Sequence, residues 1–111
     1  MSNKAEVLQG TLDLIVLQSL AVLGPSHGYR IAARIEQVSG EALQLNMGTL
    51  YPALVRLEQR GYIRGKWNIT ESKRRARFYE LTAAGRKQLE LERGDWKRMA
   101  AIIERMLSNE V

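Results

Sequence analysis

The sequence predicts a mainly α-helical fold that carries one small β-hairpin and ends in a long helix. Apolar residues recur at three- and four-residue steps over most of the 111-residue chain, which is the period of an amphipathic helix. After Gly61 the period changes to two, and the polar segment "ESKRRA" separates two alternating runs. Such a segment is typical of a hairpin tip. The length is sufficient for a single domain.

Three short helices are predicted before this change of period. The first is expected to begin with Thr11 as its N-cap and to end before Gly24-Pro25, because this pair cannot continue a helix. The second, over residues 26–39, is expected to open at His27 and to pack Tyr29 against the first helix.

Asn46 is predicted to cap the third helix, and Gly61 is predicted to follow its last turn. Pro52 falls within the first two turns, where a proline costs less because early N–H groups lack partners within the helix. The apolar stripe of this helix consists of Leu50, Leu54 and Leu57.

The hairpin is predicted from two segments that alternate between apolar and polar residues. Ile63, Trp67 and Ile69 form the apolar side of the first strand, and Tyr79 and Leu81 form that of the second. Alternation of this kind indicates strands that are buried on one face. Trp67 is therefore expected in the core.

A long last helix is predicted from Thr82, as its cap, to about Leu107. Apolar residues seven apart form an incomplete heptad seam along it, and such a seam favours packing on a partner helix. The residues predicted to dimerise the protein are Leu89, Trp96, Met99, Ile103 and Met106.

All of the excess positive charge lies in one segment. Between Arg64 and Arg77 there are six cations and the single anion Glu71, a net of 6 − 1 = +5, whereas the other residues carry 11 cations and 11 anions. Clustered cations are the expected footprint of a nucleic-acid contact. A solvated loop that only aids solubility is the alternative, and charge alone favours neither.

Several classes of protein are excluded by composition. The chain has no cysteine and one histidine, so the commonest nucleophile–base pairs and a metal cluster within one chain are ruled out. We expect no catalytic site, metal site or cofactor, and hence no enzyme. The longest apolar run, "LIVLQSLAVLG", is too short for a bilayer. With no signal-peptide pattern at its start, the protein is expected to be cytoplasmic.

Three short helices, a hairpin and a further helix follow one another in the order of a winged helix-turn-helix. Residues 1–81 are expected to form a DNA-binding domain of this fold. Residues 82–111 are expected to form a C-terminal dimerisation helix packed on that domain as one structural unit.

The motifs "HGYRIAARIE", "NMGTLYPALVRLEQRGYI" and "RRARFYELTAAGRKQL" resemble the PadR family of bacterial transcriptional regulators, in that order. The resemblance extends from about residue 7 to residue 107, and the length is similar to that of the family's compact subgroup with a single C-terminal helix. It implies a homodimer that binds an inverted-repeat operator in double-stranded DNA, usually as a repressor. It also implies a small aromatic or phenolic effector, with a tryptophan of the C-terminal helix lining the ligand site in some members.

Candidate site residues follow from the charge pattern and from this resemblance. The predicted DNA contacts are Thr49, Tyr51, Pro52, Arg56, Lys73, Arg74, Arg75 and Arg77. Packing against the second helix is the alternative for Tyr51, and an ion pair with Glu71 or Glu80 is the alternative for Arg77. The predicted effector contacts are Trp96, Met99 and Leu91. The alternative for Trp96 is that it only fills the dimer core, which an aromatic residue at helical spacing somewhat favours.

A second function of a different class also fits the sequence. The same fold could serve as a protein-interaction module whose cationic hairpin binds an acidic partner. If the protein binds DNA, the logarithm of its affinity should fall linearly with the logarithm of the salt concentration.

Overall fold

The computed structural model describes residues 4–108, which form four α-helices and a small three-stranded antiparallel sheet. In chain order, the elements are α1 (Lys4–Leu23), β1 (Ser26–His27), α2 (Gly28–Val38), α3 (Met47–Gln59), β2 (Ile63–Ile69), β3 (Arg75–Leu81) and α4 (Ala83–Ser108). The predicted fold class is confirmed. The outermost residues of the two predicted domains, 1–3 and 109–111, lie outside the described residues.

The first helix starts earlier than predicted. It begins at Lys4, so Thr11 lies within α1 and the prediction of an N-cap at Thr11 was wrong. The preceding segment contains Ala, Glu, Leu and Gln, which are strong helix formers, and they extend the helix past the single Gly10. Its end agrees with the prediction, because Gly24 adopts a left-handed φ of 76° after the last turn.

His27 opens α2 as predicted, since its Nδ1 accepts a hydrogen bond from the Arg30 N–H at 3.3 Å. Tyr29, however, is 74% exposed, and the prediction that it packs on α1 was wrong. The buried side of α2 carries Gly28, Ile31 and Ile35. Tyr29 lies about 160° around the helix from Ile31 at 100° per residue, so it faces solvent.

The third helix has the predicted ends and the predicted core face. Asn46 Oδ1 accepts a hydrogen bond from the Thr49 N–H at 3.0 Å, and Gly61 has a φ of 79° beyond the last turn. The predicted leucine stripe is buried, together with Ala53. The side of α3 that carries Tyr51 and Pro52 is left exposed.

The sheet has the strand order β1-β3-β2, with β2 paired to β3 from Ile63↔Leu81 to Ile69↔Arg75. We call this β2–β3 hairpin, residues 63–81, the wing. Ile63, Tyr79 and Leu81 are buried as predicted. Trp67 and Ile69 are each 58% exposed, so the prediction of a core position for Trp67 was wrong. The outer half of the wing extends beyond the helices that cover its base.

One apolar core joins all the helices. It forms around α1, which packs against α2, α3, β3 and α4. Leu89 of α4 belongs to this core. The start of α4 is capped as predicted, because Thr82 Oγ1 accepts from the Gly85 N–H at 3.0 Å and donates to the Gly61 carbonyl at 2.6 Å.

The second half of α4 leaves the core. All residues from 101 to 108 are exposed, and the described part of the molecule is elongated, with extents of 59 × 32 × 22 Å. None of the helices within residues 4–108 is long and apolar enough to cross a membrane.

Candidate nucleic-acid interface

The exposed side of α3 and the wing face each other across a groove of about 960 Å³, which we call the α3–wing groove. His27 of β1 and Tyr29 and Arg30 of α2 contribute to its lining, and α3 contributes Met47, Tyr51 and Leu54. The wing side is lined by Thr70, Glu71, Ser72, Arg74, Arg75, Ala76, Arg77 and Tyr79. The helix predicted to read DNA and the cationic hairpin thus lie on the same side of the molecule.

Most of the predicted DNA contacts lie in or beside this groove. Tyr51 is 53% exposed and lines the groove, so it does not pack into the core. Thr49 lies half-buried in the first turn of α3, and Pro52 is exposed one residue after Tyr51. Lys73 is exposed at the tip of the wing.

The tip of the wing is held in one shape by Thr70. The Thr70 N–H donates to the Arg74 carbonyl and the Lys73 N–H donates to the Thr70 carbonyl, both at 2.8 Å. The Arg74 N–H donates to Thr70 Oγ1 at 3.1 Å. Lys73 adopts a left-handed φ of 64°, a conformation that a non-glycine residue keeps only where surrounding contacts support it. This turn projects the basic side chains outward.

Arg77 has a different role from the tip cations. Its Nη2 donates to Glu58 Oε2 at 2.7 Å, and neither Glu71 nor Glu80 is its partner. The Glu58 hydrogen bond raises the pKa of Arg77 above its ordinary value, so the guanidinium stays charged at any physiological pH. Its charge is balanced by a carboxylate of α3.

Tyr79 forms part of the groove beside this ion pair. Burial raises the pKa of its phenol, because a phenolate loses solvation inside the protein. Tyr79 is therefore neutral at physiological pH. It adds no negative charge to the groove.

Trp67 orients the arginines of the wing. The guanidinium carbon of Arg75 lies 4.8 Å from the centroid of the indole ring, and that of Arg77 lies 5.9 Å from it. Cations at such distances are attracted to the ring face. Glu58 and Trp67 are functional candidates that sequence reasoning missed. Pairing the two predicted strands residue by residue would have placed Trp67 opposite Arg77. That pairing is the signal that could have indicated a contact between the tryptophan and the wing arginines.

Arg56 does not belong to the groove. Its Nη2 lies 2.9 Å from Asp13 Oδ1 of α1, and the two side chains are 28% and 14% exposed. A DNA contact by Arg56 stays a prediction, because the structure shows this guanidinium only in its ion pair with Asp13. The ion pair joins α3 to α1.

A second cavity of about 490 Å³ lies between α1, α2 and α4, on another side of the molecule. Trp96 lines it together with apolar residues of α1 and α2, and Arg34, Arg93 and Lys97 add positive charge. Met99 and Leu91 do not line this cavity. Leu91 lies about 140° around α4 from Trp96 at 100° per residue, so the structure does not bring the three predicted effector residues together.

The predicted dimerisation residues separate into two groups. Trp96, Met99, Ile103 and Met106 are exposed on α4. Leu89 is only 4% exposed and lies in the core of its own chain. Its inclusion in the dimer seam was therefore wrong, because the half of α4 that carries it packs on α1.

The fold has two helices and then a reading helix, and a cationic two-stranded wing lies on the same side of the molecule. This arrangement defines a winged helix-turn-helix protein of the DNA-binding class. Residues 16–91 match the profile of the PadR-like family of transcriptional regulators. The chain belongs to this family. Members of this family are transcriptional regulators that bind DNA, and they are not a class of enzymes.

Solved structures show the same architecture. A transcriptional regulator from Clostridium thermocellum is 32% identical, with a TM-score of 0.80 over 90% of this chain and 96% of that one. A PadR-like transcriptional regulator from Bacillus cereus is 21% identical and has the same fold, with a TM-score of 0.80 over 95% of this chain and 99% of that one.

A protein encoded in a transposon is also similar. An uncharacterized 37.1 kDa protein in transposon TN4556 of Streptomyces fradiae is 43% identical over 100 residues. This match covers 89% of the present chain and 27% of the relative, so the chain spans about a quarter of that protein's length.

Arg56→Ala is expected to lower the free energy of unfolding by about 1–2 kcal/mol, because Asp13 would lose a charged hydrogen-bond donor at a largely buried site. Urea denaturation at constant protein concentration measures this change. Arg60→Ala is the matched control, since Arg60 is 59% exposed and 3.9 Å from Asp13. Unchanged stability together with weaker DNA binding would show that Arg56 contacts DNA after all.

Proposed function

We propose that the protein binds an inverted-repeat operator as a homodimer and represses transcription from it. The observation that carries this proposal is the α3–wing groove, where the exposed face of the reading helix meets the wing cations. An α-helix fits the major groove of B-DNA. A cationic wing beside it would meet the flanking phosphates in the same binding event.

The two sides of the groove would contact DNA in different ways. Thr49, Tyr51 and Pro52 lie near the N-terminus of α3, where side chains and backbone N–H groups approach phosphates and base edges. Lys73 and Arg74 at the tip would bind phosphates and release counterions. Arg75 would also bind phosphates, from its position over the Trp67 ring. Arg77 is left out of the proposed contacts because Glu58 neutralises it.

Replacing Lys73, Arg74 and Arg75 by alanine is expected to make the salt dependence of operator binding shallower. Each neutralised phosphate contributes about 0.9 to the slope of log K against log salt, so the loss should be about 2.7 per chain. Gel-shift titrations over a range of salt concentrations measure the slope.

A control variant with alanine at Arg86, Lys87 and Arg98 loses the same charge from exposed positions on α4 and should keep the parent slope. If both triple variants reduce the slope equally, the wing has no special role. If the parent protein prefers no DNA sequence at all, the acidic-partner module becomes the better account.

The homodimer is supported by apolar surface on the free half of α4. Met99 and Met106 are 56% and 71% exposed, and Trp96 and Ile103 are similarly accessible. Contiguous apolar surface of this kind marks an interaction site. Two reading helices related by a two-fold axis would contact half-sites about 34 Å apart, or a multiple of that distance.

Ile103→Glu is expected to dissociate this dimer, because a carboxylate would be buried without a partner at the interface. Sedimentation equilibrium should show a lower mass for the variant than for the parent. Ala101→Glu is the control, since it adds the same charge about 160° around the helix. A parent protein that sediments as a monomer at all concentrations would contradict the dimer.

We further propose that a small aromatic effector binds beside Trp96 and Met99 and relieves repression. A ligand can shift the separation of the reading helices only if it binds one arrangement better than the other. Leu91 is left out of this site because it faces away from Trp96.

In the Trp67→Phe variant, Trp96 is the sole indole of the chain and reports ligand binding by fluorescence. Transcription in vitro from an operator-bearing promoter should fall when the parent protein, which retains Trp67, is added. It should recover with those aromatic compounds that quench Trp96, because they bind the arrangement that releases DNA. If a compound quenches Trp96 but transcription does not recover, the ligand site does not control DNA binding. If transcription rises when the protein is added, the protein is an activator.

A further inference from the structure

A single carboxylate oxygen connects the reading helix to both strands of the wing. Glu58 lies in the last turns of α3. Its Oε2 accepts a hydrogen bond from the Gly65 N–H of β2 at 3.2 Å and one from Arg77 Nη2 of β3 at 2.7 Å. β2 is an edge strand, so its outward N–H groups are open to such a contact. Neither strand can move away from α3 without breaking a bond to Glu58.

Gly65 provides a second, independent indication that this contact is closely fitted. A Cβ atom at this position would lie 2.5 Å from Arg77 Nε and 2.8 Å from its Cζ, well inside van der Waals contact. The guanidinium therefore lies directly against the backbone of residue 65. A side chain there would require the Arg77 guanidinium to shift from this position.

The same face of the wing carries this contact outward to the tip. Trp67 is the cross-strand neighbour of Arg77, and the Arg75 guanidinium stacks on its ring. A continuous line of contacts thus runs from Glu58 through Arg77 and Trp67 to Arg75. Its inner end lies on the reading helix and its outer end among the tip cations.

We propose that Glu58 is a positioning residue for operator binding, which sets the angle of the wing so that α3 and the wing tip reach the same DNA segment. This inference rests on the proposed DNA-binding function. An anion beside a DNA-binding groove lowers affinity if it acts by its charge alone, since phosphates repel it. Glu58 should have the opposite effect, because through Arg77 and Gly65 it holds the wing in place.

Glu58→Gln should therefore bind the operator about tenfold more weakly than the parent, because a charge-assisted hydrogen bond that orients the wing is lost. Its salt slope should also be shallower, because a displaced wing makes fewer phosphate contacts. Gel-shift titration measures both. Glu71→Gln is the matched control: it removes the same charge from the groove without touching the Glu58 contacts. It should bind as tightly as the parent or more tightly.

Gly65→Ala tests the same contact with every charge retained, and it too should weaken operator binding.

The orientation of the wing is measured without DNA by the distance between nitroxide labels at Gln59→Cys and Ser72→Cys. The natural sequence has no cysteine, so these two sites are labelled selectively. Glu58→Gln should broaden the distance distribution, whereas Glu71→Gln should leave it unchanged.

The outcomes distinguish failure of this inference from failure of the proposed function. If the parent binds an operator but Glu58→Gln binds as tightly as Glu71→Gln, Glu58 is not a positioning residue. The inference is equally overturned if Glu58→Gln binds weakly while the label distances stay sharp, since Glu58 would then act without moving the wing. If the parent selects no DNA sequence, the proposed function fails and the inference with it.

Discussion

Packing on α1 is the constraint on which the rest of the structure depends. Val16 and Leu17 are completely buried, and α1 packs against α2, α3, β3 and α4. The reading helix and the helix proposed to dimerise the protein thus share one support. Close-packed interiors do not deform continuously, so in the proposed dimer a change at α4 would move α3 as a body. The proposed response to an effector requires this kind of mechanical link.

The cations that are clustered in the sequence are divided among three tasks in the structure. Arg64 and Lys66 lie near Glu80, at 3.7 and 3.9 Å, and Arg77 is held by Glu58. Within residues 11–108, no ion pair is formed by the three remaining cations, Lys73, Arg74 and Arg75. The charge available to DNA is therefore concentrated at the outer end of the wing, where the turn held by Thr70 presents it.

Local signals in the sequence predicted the order and most of the ends of the elements. Asn46 as a cap and Gly61 as a stop act through their own backbone neighbours, so they could be identified without the fold. The exposure of Trp67, the Asp13 partner of Arg56 and the Glu58 partner of Arg77 depend on how distant segments pack. Periodicity indicates that a strand has an apolar side, but not how far the rest of the protein extends to cover it. The two-residue strand β1 is too short to show any alternation.

The central claim is that α3 and the wing engage one stretch of DNA from the same side of a two-fold symmetric protein. Selection of bound fragments from random double-stranded DNA, followed by hydroxyl-radical footprinting, tests this most directly. The account predicts an inverted repeat with half-site centres about 34 Å apart, or a multiple of that spacing, and backbone protection flanking each half-site. Enrichment of no sequence, or a footprint without flanking protection, would contradict it.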